Sequence, residues 1–204
     1  MRSIFWSLAK NLSQPINQLR KTYHVPCSLI NANEATEDRK AILNQIHGAF
    51  GVVPNMFRAV ANSPAALKSM WGSFGALGSG VLGAELGEKI AVAIADRNRC
   101  EYCLAAHTVL GQNAGVSALE MAAAQTGQSD DAQTAAALHF ALKLVANRAQ
   151  IADADIVELR TVGFNDEQIV EIMAHVALNI FTNYVNLAFN VPIDFPKINL
   201  RVAA

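Results

Sequence analysis

The chain has 204 residues, 52% of them hydrophobic and 16% charged, with a formal net charge of −1 and a mean hydropathy of +0.21. That length supports a core without cross-links, and the near-neutral charge gives no electrostatic ground for a nucleic-acid partner. Three cysteines, Cys27, Cys100 and Cys103, are too few and too unevenly spread for a secreted disulfide framework, so the close pair reads as redox or metal chemistry in a reducing, cytoplasmic compartment.

Residues 1–33 carry Arg2, Lys10, Arg20 and Lys21 but no acid. The apolar patch Ile4 to Leu8 is too short for a secretory signal, so the segment reads as an arm or lead-in helix rather than a targeting peptide. Residues 34–204 read as a single helical domain. Glu34 to Gln45 is expected to be a polar helix ending before a loop from Gly48 to Asn55. Ser63 and Pro64 mark a helix start that runs to about Leu77. Gly78, Gly80 and Gly83 fit the dinucleotide pattern G-x-G-x-x-G, but a helix rather than a strand precedes them, so a flexible loop is expected.

Leu86, Ile90, Ala93, Ile94 and Arg97 define an amphipathic helix ending near Asn98, and a second helix begins at Cys100 and stops at Gly115. Ser117 with Glu120 forms a capping box for a short helix. Asp130 is expected to cap the next helix, which ends near Asn147, and Asp153 to cap one ending at Gly163. Asn165 with Gln168 opens the last long helix. The uncharged run Ile172 to Ile193 has membrane-spanning length, yet His175, Asn179, Asn183, Asn186 and Asn190 argue for a buried soluble helix and no membrane. No segment alternates with period two, so the chain reads as all-α.

An offset of 83 residues places Gly80, Glu88, Cys100, Cys103 and His107 on Gly163, Glu171, Asn183, Asn186 and Asn190. The expectation is an internally duplicated helical unit whose second copy keeps the glutamate and carries amides in place of the reactive groups; the alternative is a chance match of two amphipathic segments.

Cys100, Cys103 and His107, at i, i+3 and i+7, share one helix face. Both thiols lie in the first turn, where unpaired amides and the helix dipole favour thiolate. Cys103 is one turn from His107 and is the candidate attacking thiolate; Cys100, two turns away, is the candidate that resolves a sulfenic acid into a disulfide. A hairpin about Asn98 brings Glu88 level with His107 as its orienting partner, with Glu85 as the rival. The same Cys100, Cys103, His107 and Glu88 could alternatively ligate zinc. Cys27, His24, His47, His139 and His175 read as structural or bystanders, Trp6 and Trp71 as anchors or core, and Tyr102 as packing over the thiols.

The pattern E-x11-C-x2-C-x3-H, with the lead-in Gly51, Val52, Val53, Pro54, Asn55 and the later Asn62, Ser63, Pro64, resembles the alkylhydroperoxidase D and carboxymuconolactone decarboxylase superfamily. Over residues 45–195 it looks most like the peroxidase-related members. The resemblance implies an alkylhydroperoxidase D-like helical bundle with internal duplication, assembled as a trimer or hexamer. It also implies cofactor-free, metal-free reduction of hydroperoxides, with Cys103 peroxidatic, Cys100 resolving, and His107 and Glu88 relaying protons. A dithiol or lipoyl protein would reduce the disulfide. Where better-known members carry a second histidine between the cysteines, this chain has Tyr102. A redox switch without peroxide turnover is the alternative function.

Overall fold

The computed structural model describes residues 27–201, and nine α-helices with no strand lie among them. In chain order they are α1 (Glu37–Phe50), α2 (Asn55–Val60), α3 (Pro64–Gly78), α4 (Gly83–Arg97), α5 (Glu101–Asn113), α6 (Ala118–Ala124), α7 (Ala132–Ala146), α8 (Asp153–Thr161) and α9 (Asp166–Ala188). None of these helices is long and apolar enough to cross a membrane. The arm expected over residues 1–33 falls mostly outside the described residues, as do His24 and Trp6.

Helix α4 occupies the centre and packs against α5, α6, α7 and α9. Every residue from Lys89 to Asp96 is buried, and the alanines at 91, 93 and 95 let neighbouring helices approach closely. The buried Asp96 carboxylate accepts hydrogen bonds from Gln125 Nε2 at 2.7 Å and from the Arg201 amide at 2.9 Å. A buried carboxylate needs such donors, and the Arg201 amide, with Gln125 Nε2 also donating to the Asn199 carbonyl at 2.8 Å, fastens the segment around residues 199–201 to the core. A second cluster, Phe50, Phe57, Trp71 and Phe74, joins α1, α2 and α3 through edge-on and tilted ring contacts at 5.7–6.4 Å.

Most boundaries fall where the capping chemistry puts them. Ser63, Ser117 and Asn165 each accept the expected backbone N–H, and Gly115 and Gly163 take the left-handed conformation. Three expectations are corrected. Helix α1 begins at Glu37, after a 3₁₀ turn at Ala32–Glu34, and runs through Gly48 to Phe50. Gly51, at φ 74°, supplies the stop by donating to the His47 carbonyl, and burial of Leu43 and Ile46 on the same helix outweighs a glycine penalty of about 1 kcal/mol. Helix α7 is capped by Asp131, not Asp130, because Ser129 Oγ holds the Asp131 amide and Asp131 Oδ2 accepts from Thr134 N at 2.7 Å. Helix α8 is capped by the Asp155 carboxylate on the Ala152 amide, leaving Asp153 as its first residue.

The glycine-rich segment is pinned rather than loose. The amides of Val81 and Leu82 both donate to the Glu171 carboxylate, at 2.9 and 3.1 Å. A side chain at Gly80 would collide with that carboxylate, so glycine there serves close approach and not a nucleotide.

The two segments aligned at offset 83 take different courses after Arg99 and Thr182. The first segment breaks after α4: Arg99 sits at φ 59° and the Cys100 amide reaches back to the Ala95 carbonyl at 2.8 Å, a left-handed helix termination. The second segment runs unbroken as α9 through the corresponding positions. The two lie side by side instead, and the aligned residues Cys103 and Asn186 touch.

Candidate active site

Cys100 is the N-cap of α5, and its Sγ accepts the Cys103 amide at 3.3 Å. Cys103 follows on the third helical residue, and the two are joined as a disulfide with Cα atoms 5.3 Å apart. The sharp turn at Asn98–Arg99 therefore delivers both sulfurs to the amide-rich end of a helix, where negative charge is favoured. Asn98 Nδ2 donates to Asn183 Oδ1 on α9 at 3.0 Å and fixes that turn from the side.

His107 lies one turn further along α5, 8% exposed. Its Nδ1 is 2.7 Å from Glu88 Oε2 on α4. The hairpin thus brings together the four residues that spacing had grouped, with Glu88 and not Glu85 behind the imidazole; Glu85 is exposed and lies beside Gly115. With Nδ1–H donated to the carboxylate, Nε2 is the ring atom that can exchange a proton. Among the described residues no group of three or more His, Cys, Asp or Glu is arranged to hold a metal ion.

Cys103 and His107 line a pocket of about 30 Å³ whose other walls include Phe50, Met56, Phe57, Phe74, Phe195 and Asn186. On the far side of His107 lies a larger cavity of about 300 Å³, walled by Trp71, Glu88, His175, Leu178 and Asn179. The two share Phe50, Phe74, His107 and Leu110, so the imidazole forms part of both. No carboxylate, lysine or arginine lines the smaller pocket, which suits a neutral, apolar reactant.

Tyr102 is buried with its ring edge-on to Phe195 at 5.7 Å, and its hydroxyl oxygen accepts the Met56 amide at 3.1 Å. Burial, together with the nearby Asp194 carboxylate, pushes its phenol well above the ordinary range. It therefore stays protonated and ties α5 to α2. His47 and His139 are exposed and line neither pocket. Cys27 is a half-buried free thiol that accepts from Asn62 Nδ2 at 3.2 Å.

Two residues were read differently from sequence. His175 lines the larger cavity beside Glu88, its Nε2 buried without a partner. Burial is the main cause lowering its pKa below the usual histidine value. Asn186 donates from Nδ2 to Cys103 Sγ at 3.2 Å. The echo had pointed to Asn186, as the place where reactivity was missing and not as a contact of the sulfur.

The carboxymuconolactone decarboxylase family model matches residues 64–147, which include α4 and α5. No curated protein matches the chain significantly. Among solved structures, the chain is similar to an uncharacterized peroxidase-related protein from Silicibacter sp. TM1040, at 25% identity and a TM-score of 0.73, covering 82% of this chain and 91% of that one. It is similar in fold to an uncharacterized peroxidase-related protein with an alkylhydroperoxidase AhpD core from Ralstonia eutropha JMP134, at 23% identity, a TM-score of 0.74 and coverages of 82% and 90%. The debrominase Bmp8, solved with 2,3,4-tribromopyrrole, shares the fold at 21% identity, a TM-score of 0.72 and coverages of 82% and 91%.

Proposed function

We propose that this chain, whose family-model match and fold are similar to those of the carboxymuconolactone decarboxylase and AhpD-like superfamily, is a member of that superfamily and a cofactor-free thiol peroxidase acting on organic hydroperoxides. The observation that carries the reading is the Glu88–His107 pair at 2.7 Å, set one turn from a cysteine at a helix N-terminus inside an apolar pocket.

In the proposed cycle the Cys103 thiolate attacks the terminal oxygen of R–O–O–H. His107 Nε2 has taken the proton of the Cys103 thiol; as the O–O bond breaks and the S–OH bond forms, the leaving alkoxide takes that proton back from Nε2 while Glu88 steadies the ring. The Cys100 thiolate then displaces hydroxide from the sulfenic acid and closes the disulfide; the hydroxide leaves as water on taking up a proton. The peroxide gains two electrons and the dithiol loses two. A dithiol or lipoyl protein is the proposed reductant that restores both thiols. Exposed apolar residues Val170, Met173, Tyr184 and Leu187 along α9 support assembly into a trimer or hexamer.

Titration of thiols before and after one equivalent of cumene hydroperoxide tests the reading. Two thiols should disappear per peroxide, and catalytic consumption should follow when dithiol is supplied. Oxidation that happens once and never recycles would instead identify a redox switch.

The aromatic, charge-free lining of the small pocket favours a second reading, reductive dehalogenation of a halogenated ring. There the same dithiol would supply two electrons, giving arene, halide and disulfide. Bromide release from a polybrominated pyrrole, without peroxide consumption, selects it.

A further inference from the structure

We propose that Asn186 acts on the reacting sulfur with both ends of its amide: Nδ2–H stabilises the Cys103 thiolate, and Oδ1 receives the O–H of the incoming hydroperoxide. The acceptor half rests on the peroxidase reading above; the donor half does not.

Cys103 is 2% exposed and Asn186 4% exposed. A thiolate so deeply covered has lost the water that would solvate it, which by itself favours the neutral thiol. The helix terminus answers part of that penalty. Among the described residues, the one side-chain hydrogen bond to Cys103 Sγ comes from outside its own helix, from Asn186 Nδ2 at 3.2 Å. The disulfide sulfur seen here can only accept, as can the thiolate of the reduced form, so in both the NH₂ end of the amide faces the sulfur and Oδ1 faces away. That Oδ1 is buried and has no hydrogen-bond partner, although Asn186 lines the same small pocket as Cys103 and His107. A buried acceptor left unpaired is costly, and one kept beside a nucleophile is suited to a donor that arrives with the substrate.

The hydroperoxide brings such a donor. In the attack the hydrogen on the terminal oxygen does not move: it belongs to R–O–O–H at the start and to S–O–H at the end. An acceptor that holds this hydrogen throughout aims the O–O bond at the sulfur and leaves the alkoxide on the side of His107. Proton delivery and substrate orientation are thereby divided between His107 on α5 and Asn186 on α9.

The test uses the full chain, fully reduced, with Asn186→Leu and Asn186→Asp. The rate of Cys103 alkylation by iodoacetamide is followed against pH, with the modified peptide identified by mass. Loss of one charge-assisted hydrogen bond predicts an upward shift of about one pH unit in Asn186→Leu and about tenfold slower alkylation at pH 7. Asn186→Asp keeps the side chain's size, so it guards against a folding defect; its carboxylate beside the sulfur predicts a larger shift. Profiles that coincide with wild type overturn the donor half. The acceptor half is read at a pH above all the measured thiol values, where thiolate content is equal. There Asn186→Leu should still react with cumene hydroperoxide about tenfold more slowly, and an equal rate constant overturns it. If the peroxidase reading itself is wrong, wild type loses no thiols to the hydroperoxide while the alkylation shift remains.

Discussion

The hairpin of α4 and α5 and the single helix α9 begin alike and end differently. Each opens at or just after a left-handed glycine, Gly83 as the first residue of α4 and Gly163 shortly before α9, and carries a glutamate one to two turns in, Glu88 or Glu171. At Arg99 the first segment takes a left-handed residue and turns back, whereas the second continues through Thr182 and Asn183. The break creates a fresh helix N-terminus, and there the thiols lie. The unbroken helix has no free amides at Asn183 or Asn186, so its polar side chains supply the contacts instead. The difference teaches that a setting which favours thiolate is made by a chain reversal as much as by the presence of cysteine. The two glutamates diverge in the same way: Glu88 holds an imidazole, and Glu171 holds two backbone amides.

Substitutions separate these contributions. The largest effect is expected from Cys103→Ser, which should abolish hydroperoxide consumption. Cys100→Ser should allow one turnover and then accumulate a sulfenic acid that dimedone traps; the reverse assignment of the two variants would refute the division of roles. Glu88→Gln, which removes the orienting charge behind His107, should lower kcat about 10²-fold with little change in thermal stability. Glu171→Ala should do the opposite, costing about 1–2 kcal/mol of stability through the lost clamp on Val81 and Leu82, visible as a lower Tm, with a smaller effect on turnover.

The smallest expected effect is a pH dependence on the α9 side. His175 has a lowered pKa, caused first by burial and reinforced by His107, against the opposing pull of Glu171 and Glu88. The unfolded chain therefore binds the proton more readily than the folded one. This contribution to stability is fully present above the ordinary histidine value of 6.5 and is lost as pH falls below it. Denaturant midpoints between pH 7.5 and 5.5 should fall in wild type and fall less in His175→Gln.

Much of this site was legible because helical spacing is rigid. Cys100, Cys103 and His107 share a face at any reasonable helix start, and a hairpin about Asn98 leaves Glu88 one natural partner. The caps at Ser63, Ser117 and Asn165 were readable for the same local reason. What spacing cannot supply is the direction in which a distant helix presents its side chains. Asn186 touches Cys103 because α9 runs parallel to α4, a tertiary fact. His175 looked like an isolated histidine until Gly87 and Glu88 packed against it. The two segments of the echo part at Arg99, where one left-handed residue ends a helix that the matching periodicity would have continued.

Helix α9 also works as a ruler with a phase. Glu171 and Asn186 are fifteen residues apart on it, about 22 Å of rise, one gripping the turn before α4 and the other the sulfur of α5. Both grips hold only while the intervening count is kept. One residue inserted between them would turn Asn186 by about 100° about the helix axis and take its amide off Cys103, even with every named side chain intact. Length changes after Ala188 carry no such constraint on this pair. The count between two contacts, as well as their identity, is thus part of what the chain encodes.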